Sequence, residues 1–180
     1  LRSTWTREYP GALGTFLGAE GFASGVVLSS PGLGKEGRYF SGDPTLGRPT
    51  VVALGAPSGD EAVHATLSSL VRELCYPAVR RAFGPFESRV ADRVDATRVS
   101  DLAATRCGEL LLEARVPQRV EVYRVRFGLP TGGTDQGFLT ASGQVPGAAA
   151  LETQLEAALR RELNLHTDGM GKGRPSVGRE

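Results

Sequence analysis

Side chains able to carry chemistry are few and scattered in this 180-residue sequence. It holds two histidines, His64 and His166, and two cysteines, Cys75 and Cys107. Zinc sites draw their ligands from closely spaced pairs of thiolates or imidazoles. Neither histidine stands at such a spacing from either cysteine, so no metal ligand is assigned. The cysteines read either as buried thiols, which pack as small hydrophobes, or as one Cys75–Cys107 disulfide, which requires an oxidising compartment. The stretch Ser29-Ser30-Pro31-Gly32-Leu33-Gly34-Lys35-Glu36 follows an apolar run and ends in Gly-Lys, as a phosphate-binding loop does. Such a loop needs a glycine five positions before its second glycine, and Ser or Thr after the lysine to hold Mg²⁺. Here Ser29 and Glu36 occupy those positions, and a carboxylate beside a triphosphate repels it. Gly171-Lys172 has no strand before it and no helix after it. Ser68 follows His64 by one helical turn on the same face, but a helix-surface histidine of this kind is ordinarily solvated and no G-x-S-x-G elbow occurs. Arg115, Arg119, Tyr123, Arg124 and Arg126 interleave basic and aromatic residues, yet Glu113 and Glu121 lie among them, so they read as a solvated strand face rather than a nucleic-acid surface. No catalytic or cofactor-binding residue is assigned, and no nucleic-acid or small-molecule partner is expected.

The elements that would position any site are clearest in the middle of the chain. Ser58-Gly59-Asp60-Glu61 has the S-x-x-E form of a capping box. Beyond it Val63, Leu67, Leu70, Val71, Leu74, Ala78 and Val79 recur at helical spacing. The spacing predicts a long core helix over about 60–82, kinked near Cys75-Tyr76 because Pro77 removes a backbone hydrogen bond. Within it Val71-Arg72-Glu73-Leu74-Cys75-Tyr76-Pro77 resembles the metal-binding helix of zincin-type metallopeptidases with the histidines replaced. In that family H-E-x-x-H places two zinc-binding histidines one turn apart around a glutamate base. Glu73 matches the glutamate, while Arg72 and Tyr76 stand where the ligands would be. The resemblance implies an inactive descendant that kept the fold for binding. Without it, the segment is an ordinary core helix.

Upstream, Phe22–Ser30 and Thr50–Leu54 read as strands. The second is a continuous apolar run of the kind buried on both faces. Residues 31–49 read as a loop with a short strand at Arg38–Phe40. Residues 1–21, rich in glycine and without a period, read as an irregular arm anchored by Trp5, Tyr9 and Phe16. Downstream, a second helical region starts near Glu87, Ser100-Asp101 reads as the cap of a further helical segment running to about Arg115, and Arg119–Phe127 (RVEVYRVRF) alternates as a strand does. Residues 128–147 read as a Gly/Thr-rich linker. Residues 148–165 form an amphipathic helix whose Leu151, Leu155 and Leu159 make a narrow stripe suited to another chain. Residues 166–180 have almost nothing to bury and read as an extended tail.

Composition bounds the rest. With 40% hydrophobic residues and a formal net charge of +1, no apolar run approaches the roughly 18 residues of a membrane span. The near-zero charge makes no strongly positive field. The expected architecture is α+β: a small mixed sheet over 22–127, packed by the long core helix and the second helical region, with the irregular arm, the C-terminal amphipathic helix and the tail as attachments. The start at Leu1-Arg2-Ser3 reads either as a chain whose signal segment has been removed or as a fragment; removal implies an exported chain, extracytoplasmic or periplasmic, with a cytoplasmic chain as the alternative. The expected function is a non-catalytic accessory or stabilising subunit of a larger protein assembly, near a membrane complex, held through Trp5, Tyr9, Phe16, Leu151, Leu155 and Leu159. The alternative is a hydrolase, or an inactive zincin-like domain, centred on Glu73.

Overall fold

The computed structural model of the chain describes residues 1–22, 25–33, 36–57, 60–90, 93–130, 137–140 and 148–165. It is an α+β arrangement of one three-stranded sheet and a set of helices. β1 (Gly25–Ser30), β2 (Gly37–Phe40) and β3 (Thr50–Gly55) lie in the order β1-β3-β2. β1 runs parallel to β3, and β2 runs antiparallel to it. Residues directly opposite one another in register share a face. Val27, Val52 and Tyr39 therefore point inward with Leu54 and Gly37, while Val26, Val51 and Phe40 point outward with Leu28, Ala53 and Arg38.

The inner face is covered by α3 (Asp60–Leu74), whose Leu67, Leu70, Val71 and Leu74 are buried. The helix breaks at Cys75 and resumes as α4 (Tyr76–Phe83) with Pro77 in its first turn, where a missing N–H is harmless. Ser58 of the expected capping box, and the Glu61 side chain, lie outside the described residues. The second helical region is a short 3₁₀ stretch over Gly84–Arg89 followed by α5 (Arg93–Arg115). The buried Val99, Ala103, Ala104, Cys107, Leu110, Leu111 and Leu112 of α5 back both α3 and α4.

Three expectations are corrected. Residues 1–21 are not an irregular arm but two helices, α1 (Arg2–Glu8) and α2 (Pro10–Ala19). Trp5 stacks on Tyr9 one turn later (ring centroids 5.1 Å apart), and Tyr9, Leu13 and Phe16 continue the helical spacing into the core. Glycine at 11, 14 and 18 lowers helix propensity by roughly 1 kcal/mol each relative to alanine, so the packed stripe, not local preference, holds α2.

Arg119–Phe127 is not a strand. Val120–Phe127 forms α6, closed by Gly128 at φ +65°. Val120 and Tyr123 face the core, Phe127 packs against it, and Val125 is exposed, as a period of 3.6 requires. The alternation of VEVYRVRF fits both periods, and contact with α3 and α5 decides between them.

The C-terminal helix, α7 (Ala148–Glu162), does not stand apart. It packs on α4 and α5 with Leu155, Ala158 and Leu159 buried. Arg106 pairs with Glu156 (3.0 Å) and Arg81 with Glu162 (2.7 Å). Loop-closure entropy grows only logarithmically with length, so a long connector is little obstacle to this return. Of residues 128–147 the structure describes 128–130 and 137–140; the second piece is a turn with Leu139 buried, and its Thr140 N–H donates to Glu152 of α7 (3.0 Å). The expected tail, residues 166–180, lies outside the described residues.

Candidate functional site

The residues around Glu73 form a largely enclosed polar cluster where α3, α4 and α5 meet. α3 points Arg72 and Glu73 toward β2 and α5, and the break at Cys75 brings Tyr76 under Arg72. The Arg72 guanidinium donates to Glu73 Oε1 (3.0 Å), to Thr105 Oγ1 (3.2 Å) and to Tyr76 Oη (3.1 Å), and lies 3.4 Å from Asp101 Oδ1. It sits 5.7 Å from the ring centroids of both Tyr76 and Phe127, within cation–π range. The Tyr76 hydroxyl donates in turn to Asp101 (2.5 Å).

Glu73 is 2% exposed and lies against Gly37 of β2, where an added Cβ would stand 2.5 Å from Glu73 Cγ. Burial pushes its carboxyl above the ordinary carboxylate value, outweighing the attraction of Arg72 and Arg38. Burial and the Asp101 carboxylate likewise push the Tyr76 hydroxyl up. Each of these groups is engaged by a neighbour, and the roof over the carboxylate is backbone. A raised carboxylate pKa is the mark of many general acids, but here the shift comes from closure of the fold over the group. The arrangement ties α3, α4 and α5 together beneath β2.

The other sequence motifs separate in space or face elsewhere. Ser68 Oγ donates to the His64 carbonyl (3.0 Å), not to the imidazole, and His64 Nδ1 is buried without a hydrogen-bond partner among the described residues. Arg119 pairs with Glu8 (2.6 Å), Arg124 pairs with Glu109, Glu113 and Glu121, and Tyr123 is buried with its hydroxyl donating to the Thr105 carbonyl (2.8 Å). Gly34 and Lys35 of the phosphate-loop-like stretch, and His166, lie outside the described residues. Cys75 and Cys107 are both buried and stand as free thiols. Burial first, then the neighbouring Cys107, pushes the Cys75 thiol well above its ordinary value.

Of the six expected anchors, Tyr9, Phe16, Leu155 and Leu159 are buried in the chain's own core, and Trp5 and Leu151 are half-buried against it. A side chain enclosed in the folded chain offers no surface to a second one. Among the described residues the exposed large apolar side chains, apart from Leu46 and Val125, lie instead on the sheet. Its outward rows are Val26, Val51, Phe40 and Leu28, Ala53, Arg38, with Val26 40%, Leu28 52% and Phe40 55% exposed. Val51 and Ala53 of β3 are half-buried, so that strand is covered on one face, not on both as its apolar run suggested. On the inner side of β1, Trp5, Leu17, Phe22, Val27 and Leu70 line an apolar notch of about 150 Å³.

Among the described residues no group of three or more His, Cys, Asp or Glu is placed to hold a metal ion, and no helix is long and apolar enough to cross a membrane. No family model, curated protein or solved structure matches the chain.

Proposed function

We propose that this chain is a non-catalytic accessory subunit of a larger protein assembly, and that it joins the assembly through the outer face of its sheet. The observation that carries this reading is the side-by-side exposure of Val26, Leu28 and Phe40 on one face, with only Arg38 charged among them. An apolar sheet face is ordinarily covered by a second layer, and contiguous exposed apolar patches mark protein contacts. The partner surface it suits is apolar, because Arg38 is already paired with Glu36 of its own chain (2.5 Å). The contact residues are thus strand residues, in place of the helix and arm anchors.

The hydrolase alternative centred on Glu73 asks for a carboxylate that reaches substrate. Its enclosure by Gly37 and Arg72 favours a role in holding the helices together. The two readings separate by substitution. Leu28→Glu and Phe40→Glu change exposed positions, and each should leave the melting temperature within about 2 °C, since surface changes are usually within about 0.5 kcal/mol. In extract of the source cells, the unaltered chain should elute from gel filtration in a complex several times its own mass, and both variants should leave that complex. Elution unchanged by either substitution, or a hydrolytic activity of the purified chain lost in Glu73→Gln, refutes the proposal.

A further inference from the structure

The two edges of the sheet are unlike. β2 is four residues long, carries Arg38, and has the Arg38 guanidinium donating to its own Gly37 carbonyl (2.8 Å). A charge and a short length are the usual guards of an edge strand against pairing with another chain. β1 has neither guard. It is six residues, GVVLSS, with no charge, no proline and no bulge in its register with β3, and five of its six residues are exposed. We propose that β1 is a self-pairing edge, joining two copies of this chain antiparallel about a two-fold axis into one continuous six-stranded sheet.

The register follows from keeping like faces together. With the axis perpendicular to the sheet and passing at Val27, Val27 meets Val27, Val26 meets Leu28, and Gly25 meets Ser29. Each pair then joins inward to inward or outward to outward side chains. No charge is brought against another charge, and the apolar positions meet one another. The inward residues the second copy presents, Gly25, Val27 and Ser29, are small. Its Val27 enters beside the notch of about 150 Å³ under Trp5, Leu17 and Phe22, a volume that in other proteins admits a benzene-sized group. Because β2 is guarded, the pairing closes at two copies instead of extending into a filament.

The pairing also enlarges the outer face, and here the inference rests on the function proposed above. At about 3.3 Å per residue and about 4.8 Å per strand, one face spans on the order of 300 Å² and the joined sheet on the order of 600 Å². Functional apolar patches run to roughly 300–600 Å², so the dimer offers a partner the upper end of that range.

The test uses charge at the axis. Val27 is 45% exposed, so Val27→Lys and Val27→Glu should fold, with circular dichroism melts as the check. By sedimentation velocity at 100 µM the unaltered chain should run as a dimer and each variant alone as a monomer. A one-to-one mixture of the two variants should return to the dimer, because only the two-fold register sets position 27 against itself. As a second measurement, Val27→Cys should cross-link to a covalent dimer under mild oxidation by copper phenanthroline, while the unaltered chain should not. A monomeric unaltered chain, variants that remain dimeric, or a mixture that stays monomeric overturns the proposal. An unaltered chain that runs as a monomer while Leu28→Glu and Phe40→Glu still remove it from the large complex refutes self-pairing alone. A dimer that forms while Leu28→Glu and Phe40→Glu leave the complex intact refutes the face reading alone.

Discussion

Replacing Arg72 by methionine tests whether the cluster around Glu73 is a structural tie. The substitution keeps the aliphatic bulk and removes the cation from a carboxylate that is almost wholly enclosed. Breaking one side of a buried ion pair costs about 3–5 kcal/mol. Arg72 keeps part of its side chain in solvent, so the lower end, about 3 kcal/mol at pH 7, is the expected loss. With a urea slope of about 2 kcal/mol per molar, that moves the denaturation midpoint down by about 1.5 M.

The loss should depend on pH. Glu73 already titrates above its ordinary 4.5 because of burial, and loss of Arg72 raises it further. The folded state then keeps a proton that the unfolded state releases near 4.5, so the variant loses stability as pH rises from about 4.5 through the folded value, and keeps it below. At pH 4 the remaining cost is the lost hydrogen bonds to Thr105 and Tyr76, at about 0.5–1.5 kcal/mol each. Adding Glu73→Gln should recover most of the loss at pH 7 and flatten its pH dependence. Urea titrations of the single and double variants at pH 4, 5, 6 and 7 read all of this. A loss of equal size at pH 4 and pH 7, or a double variant as unstable as the sum of the singles, would refute the assignment of the cost to an enclosed carboxylate.

The α7 attachment should weaken in acid. Burial pushes Glu156 up, but hydrogen bonds and attraction from Arg106 and Arg160 outweigh it and hold the carboxyl below 4.5, so its contribution is present above 4.5 and lost as pH falls through the lowered value. Thermal melts between pH 2 and 6 should show a smaller acid loss in Glu156→Gln. Gly108→Ala should destabilise by about 1–3 kcal/mol despite the roughly 1 kcal/mol gained in helix propensity, because its Cβ would overlap the buried Tyr123 hydroxyl. Adding Tyr123→Phe should return part of that loss in guanidinium titrations. Gly14→Ala has nothing within 4 Å of the new Cβ and should stabilise by about 0.5–1 kcal/mol; a lowered melting temperature would contradict the α2 helix. Neither cysteine should react with Ellman's reagent in the native protein, since both are buried and the Cys75 thiol is pushed up. In denaturant without reductant two thiols per chain should titrate, and none would mean that the two are bonded.

How much of this was legible in the residues depends on element length. The 60–82 helix carries one apolar stripe from Val63 to Val79, and Pro77 places its break at Cys75-Tyr76, where α3 and α4 meet. β1 and β3 announce themselves by β-branched runs between turn residues, and β2 only as a short strand at Arg38–Phe40 within a loop. The short elements do not. α6 spans eight residues whose alternation satisfies either period, and the glycines of α2 argue locally against the helix that Tyr9, Leu13 and Phe16 secure by packing. The cluster on Arg72 was half visible, since Glu73 and Tyr76 sit one turn apart, but Gly37, Asp101 and Thr105 reach it from distant positions.

Composition and periodicity by themselves determined the α+β class, the kinked central helix and the apolar stripe of the C-terminal one. Only the tertiary structure decided which apolar residues remain in water. Leu155 and Leu159 look as ready for a partner as Val26 and Leu28 do, and the difference is that α4 and α5 lie over the first pair while no described element lies over the second. Exposure belongs to the arrangement of neighbours from far along the chain, and for that reason the candidate interface moved from a helix to a sheet.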